Sequence, residues 1–136
     1  MQKLLFLIFA VSSMMFFSCK KSSESVNVTN LTSVTWTSDS LLANGVVADG
    51  TGQMLEKFKG DAKFNKDGSG YFGKYTGTWK FTNLEKQIVI DSDSLMLPVT
   101  ANIVLLNSTD FKITTLYPNV INPASPIPIR MTFKAK

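Results

Sequence analysis

The chain has 136 residues and a formal net charge of +4, enough length for one domain with a real hydrophobic core. It has no histidine and a single cysteine, Cys19. These counts exclude histidine general bases, zinc sites built from His and Cys, and any disulfide within the chain. The lone arginine, Arg130, and lysine runs no longer than two argue against a nucleic-acid partner.

Residues 1–18 read as a secretory leader. Lys3 supplies the positive start, Leu4 to Val11 is an unbroken apolar run, and Ser12 and Ser13 precede a second apolar patch, Met14 to Phe17. The run is too short and interrupted to span a bilayer, which takes ~20 apolar residues. Phe16-Phe17-Ser18-Cys19 then resembles a bacterial lipobox, with the small Ser18 just before the cysteine. That resemblance implies cleavage before Cys19 and acylation of Cys19. Several acyl chains, at ~0.8 kcal/mol per buried CH2, make a firm membrane anchor. Residues 19–30 are polar and Ser-rich and are expected to form a flexible tether.

From Leu31 to the C-terminus the expected unit is one β domain, 31–136. Apolar residues alternate with polar ones with period two, and no segment shows a helical stripe. Val34 and Trp36 mark a first strand. Met54, Phe58, Ala62 and Phe64 share one parity in a second, and Tyr71, Tyr75, Trp79 and Phe81 in a third. Ile88 and Ile90 follow. Leu95, Leu97, Val99, Ala101, Ile103 and Leu105 form one face of the longest run. Phe111, Ile113 and Tyr117 come next, and Ile127, Ile129, Met131 and Phe133 close the chain. Asn65 to Gly70, Asn83 to Lys86 and Asn107 to Thr109 are turns, while Leu41 to Gly52 and Pro118 to Pro126 are longer connections. This gives seven strands, or eight if Pro98 divides the longest run. Bent, sequentially paired strands favour closure into an antiparallel barrel, which removes exposed edges. Strand parity places the Leu41 to Gly52 connection at the same end as Asn83 to Lys86 and Asn107 to Thr109, unless Pro98 makes an extra turn.

Two segments carry hints of chemistry. Asp91-Ser92-Asp93 is the densest acidic spot, yet it reads as a solvated strand end. Asn65-x-Asp67-x-Ser69-Gly70 imitates the start of a calcium loop, but its twelfth position is Thr76 rather than a bidentate Glu, so turn chemistry accounts for it. We therefore expect no catalysis, no metal and no cofactor.

The order of features resembles the lipocalin-like outer-membrane lipoproteins of Bacteroidetes. The residues that carry the resemblance are Trp36, the Phe64 to Gly70 hairpin, Tyr75 with Gly77-Thr78-Trp79-Lys80-Phe81, Ile88-Val89-Ile90, and Phe133. It implies a lipocalin-like antiparallel barrel of about eight strands, anchored in the outer membrane on its periplasmic side. A small apolar ligand inside such a barrel is expected to meet Trp36, Tyr75, Trp79 and Phe81. The other reading is a monomeric interaction or hydrolase-inhibitor module with a filled core. A filled barrel without a cavity and an exposed apolar patch near Pro118 to Pro126 would favour it.

Overall fold

The structure, a computed structural model, describes residues 23–136. The expected leader and the acylation site at Cys19 lie outside the described residues. A short helix, α1 (Val26–Thr32), precedes nine strands: β1 (Trp36–Ala43), β2 (Val46–Val47), β3 (Asp61–Phe64), β4 (Ser69–Phe72), β5 (Tyr75–Thr82), β6 (Gln87–Asp91), β7 (Val99–Leu106), β8 (Asp110–Tyr117) and β9 (Ile127–Ala135). Each strand from β3 to β9 pairs antiparallel with the next, and β1 pairs with both β3 and β9. Eight strands thus close into a barrel, as the alternation predicts. The seam is long, from Trp36↔Ala135 to Ala43↔Ile129, with a bulge between Ser38 and Ser40. The two-residue β2 folds back on β1 through Asn44-Gly45, both with positive φ, the backbone that a two-residue hairpin demands.

The eighth strand has a different origin from the one expected. Pro98 does not divide a strand; it precedes β7 at the end of the 92–98 loop. Instead the Tyr71 to Phe81 run breaks at Gly73-Lys74, where Gly73 has φ +61 and Phe72 faces Tyr75 across the hairpin. A two-residue turn reverses parity. Tyr71 therefore points outward at 39% exposure, while Phe72 takes the inner place at 2%. A bulge between Ile103 and Leu105 likewise turns Leu105 out of the inner row. Leu95 and Leu97 fall in the loop before β7.

The added turn also moves the ends. Asn65–Gly68, Asn83–Lys86 and Asn107–Thr109 lie at the end where β1 begins. The β1–β2 hairpin, the connection through residues 48–60, the 92–98 loop and the 118–126 loop form the opposite rim. The expectation that the first connection shares an end with the turns at 83–86 and 107–109 is thereby corrected.

Helix α1 closes the first end, within the segment read as tether. Ser25 Oγ accepts the Val28 N–H at its start, and Lys63 Nζ donates to the carbonyl of Thr32, its last residue, and to that of Val34 just beyond. Leu31 is wholly buried, and Trp36 Nε1 donates to its carbonyl at 2.9 Å. Asn27 Nδ2 reaches Glu85 in the turn beneath. The ordered domain thus begins before Leu31. At the other end, the 48–60 connection turns inward through a 3-10 turn, Glu56–Phe58, and buries Ala48, Leu55 and Phe58.

Candidate functional site

The interior of the barrel is occupied by its own side chains. Phe64 is the hub, with ring centroids 5.0 Å from Phe72, 5.8 Å from Trp79 and 5.7 Å from Phe111. Phe111 adds Trp36 and Phe133, each at 5.7 Å. Tilted and edge-on pairs at such spacings favour the aromatic quadrupoles as well as the burial. Both indoles satisfy their N–H groups: Trp36 on Leu31, and Trp79 on the carbonyl of Asn65 at 2.8 Å.

Of the four residues expected to line a ligand, three belong to this packed half. Trp36 is inaccessible, Trp79 is buried, and Phe81 packs edge-on against Trp79 at 5.3 Å. Trp79 also borders an open hollow on the outer wall, and Tyr75 faces a small space inside the barrel. Tyr75 lies near the rim, beside Phe58 at 4.7 Å, in a space of about 70 Å³ that Leu55, Tyr117, Ile129 and Met131 also line. Burial pushes the Tyr75 phenol above its ordinary pKa, and the Tyr117 phenol nearby adds to the shift. The space is less than half the roughly 150 Å³ apolar cavity that admits benzene, and far below the ~300 Å³ at which ligand pockets begin.

The outside of the rim has the opposite character. Val120 and Ile121 are 86% and 91% exposed, and Met96, Leu97, Leu116 and Tyr117 at the same end of the barrel are exposed too. A furrow of about 210 Å³ runs between the two loops, from Leu97 and Pro98 to Leu116, Tyr117 and Pro118. Sequence reasoning named the 118–126 loop as a place to look but missed the Met96-Leu97 half. It read those residues as strand, and only the Pro98 signal pointed elsewhere.

The acidic segment borders an open surface hollow of about 220 Å³, lined by Thr76 to Thr78 and by Asp91 to Asp93. Asp91 ends β6 and faces out, Asp93 is exposed in the loop, and between them Ser92 donates to the Thr76 carbonyl at 2.8 Å. In the Asn65 to Gly70 hairpin, Asp67 accepts both the backbone N–H and the hydroxyl of Ser69, which hold its carboxyl below the ordinary range. This is the local turn chemistry read from the sequence. Among the described residues, no three acidic, His or Cys side chains converge as a metal site.

Together these features define a closed, side-chain-filled antiparallel barrel with a helical plug at one end and an apolar rim at the other. No protein-family model matches the chain, and no curated protein matches it.

Proposed function

We propose that the protein is a non-catalytic, monomeric interaction module, tethered to the outer membrane through a lipid on Cys19, which binds an envelope protein with its apolar rim. The observation that carries the reading is a contrast within one molecule. The space beside Tyr75 is about 70 Å³, while large apolar side chains stand exposed on the rim loops. Apolar groups gathered in one exposed patch mark an interaction surface. Membership of the lipocalin-like lipoproteins of Bacteroidetes belongs to the same proposal. It rests on the Phe16 to Cys19 segment and on the order of motifs along the barrel strands.

The direction of the chain favours a protein over the anchoring bilayer as the rim's target. Residue 23 leads directly into α1 at the plugged end, four residues after Cys19. Extended chain spans at most ~3.6 Å per residue, so the anchor holds the plugged end close to the membrane and the rim faces away.

A photo-crosslinking residue at position 121, compared with one at exposed position 84 on the plugged end, tests this in cells. The reading expects a discrete protein adduct from 121 and none from 84. Lipid adducts alone from 121, or the same adducts from both positions, would contradict it.

A further inference from the structure

We infer that Arg130 is the receptor for an acidic side chain of the partner protein, in a groove on the barrel wall that continues from the rim. This deepens the interaction reading and rests on it.

The groove, about 490 Å³, crosses the outer faces of β7, β8, β9 and β1. Its floor is set by register: Asn102 pairs with Thr114, Thr114 with Arg130, and Arg130 with Leu42. Leu116 and Pro128 wall the side toward the rim. Thr115 and Leu116 line both this groove and the rim furrow, so the two surfaces are continuous.

Three observations give the groove its chemistry. All ten acidic residues of the chain lie among the described residues, and none pairs with Arg130. Lys57, Lys80, Lys86 and Lys112 share that unpaired state, but among the residues lining the groove Arg130 is the one charged side chain. Second, Gln87 Nε2 donates to Asn102 Oδ1 at 2.9 Å, which leaves the Asn102 amide N–H groups as donors on the groove floor beside the Thr114 hydroxyl. Third, Leu42, Leu116 and Pro128 form an apolar border to this row of donors.

A guanidinium flanked by neutral donors matches a carboxylate, which accepts in its plane. A small free anion has no use for the apolar border and would stay hydrated in so open a site. An aspartate or glutamate on a protein segment, with apolar residues on either side, uses both parts. The same segment continues onto Leu116 and the rim.

The test pans a linear peptide display library against the immobilised whole chain, then measures binding of a synthetic form of the enriched peptide. The expected peptides carry one acidic residue between apolar ones. Arg130→Gln, or the acid changed to its amide, weakens binding about tenfold, the scale of a lost charge-assisted hydrogen bond. Arg130→Lys retains part of the binding, because it keeps the charge without the fork. Ile121→Ser also weakens binding if the segment runs onto the rim. Enriched peptides without an acid, no enrichment at all, or affinity unchanged in Arg130→Gln would overturn the inference. Binding lost in Ile121→Ser but unchanged in Arg130→Gln removes the role of Arg130 and leaves the rim reading standing.

Discussion

The indole of Trp36 donates to the backbone carbonyl of Leu31 across 2.9 Å, and both residues are wholly buried. This contact fastens the plug helix to the first barrel strand and to the aromatic core around Phe111. Trp36→Phe orphans the carbonyl, at ~1–3 kcal/mol, and leaves a void, for a total loss of about 2–4 kcal/mol. Leu31→Ala costs about 2–5 kcal/mol by cavity formation. Urea unfolding of the single and double variants checks both values. A helix that packs as part of the core gives clearly non-additive losses; a loosely attached helix gives Leu31→Ala a negligible effect.

Two glycines on the same stretch have different reasons to be glycine. A Cβ on Gly77 would collide with the backbone carbonyl of Asp91. On Gly73, with φ +61, it would lie 2.7 Å from the backbone carbon of Phe58. Neither obstacle is a flexible side-chain tip, so each Gly→Ala change costs about 1–3 kcal/mol or more. Gly52 has φ +75 but open space around it. Gly52→Ala therefore incurs only the backbone penalty of about 1–2 kcal/mol. Thermal melts of the three variants should rank Gly52→Ala as the mildest.

Leu84 stands at the tip of the β5–β6 turn with φ +54 and 91% exposure. Its side chain gains little from packing there, while its backbone is in the left-handed region. Leu84→Gly raises stability by about 0.5–1 kcal/mol, relief of strain exceeding the added freedom of the unfolded chain. A lower midpoint in urea would show that the turn depends on the leucine itself.

Two ion pairs tie strand ends near the plugged end. Lys136 Nζ donates to Asp61 at 2.7 Å, reaching from the end of β9 past β1 to β3, and Lys134 pairs with Asp110 on β8. The lysine hydrogen bonds hold both carboxyls below their ordinary value of 3.8. A carboxyl with a lower pKa folded than unfolded contributes its full stability above the unfolded value, and loses it as pH falls through the folded one. The lysines are raised above 10.5 by the same contacts, so on the alkaline side the contribution disappears as pH rises through that higher value. The four groups are solvent-exposed, so the slopes are modest. In Asp61→Asn with Asp110→Asn, stability measured from pH 5 down to pH 2 should fall less steeply than in the parent. An unchanged acid slope would show that neither pair contributes.

The barrel was legible because alternation survives along most of the strand length, bulges interrupting it within β1 and β7. Ile127 to Lys134 keeps the alternation read from the sequence except at Thr132, which is buried, and Ile88 to Ile90 keeps it throughout. Parity failed at Gly73-Lys74, since a two-residue turn leaves the alternation of aromatics looking unbroken while it exchanges Tyr71 for Phe72. It failed again at Val104, where a bulge has no residue signature. Helix α1 was hidden because Val-Asn-Val-Thr-Asn-Leu-Thr has poor helix propensity and a single deeply buried leucine. What holds it is tertiary: the Trp36 indole and the Lys63 ammonium, 5 and 31 residues from the carbonyls they bind. Of the site, the rim loop and Tyr75 were legible. The filling of the interior was not, since alternation tells which residues point inward but not how closely they meet.

A barrel filled by its own side chains leaves no room for a retained small molecule. Native mass spectrometry of the protein purified from its own cells tests it most directly. The expected native mass equals the covalent mass of the same sample measured after denaturation, with no small molecule retained. A small molecule retained one-to-one, and released by a bulkier side chain at Met131 or Tyr75, would contradict it.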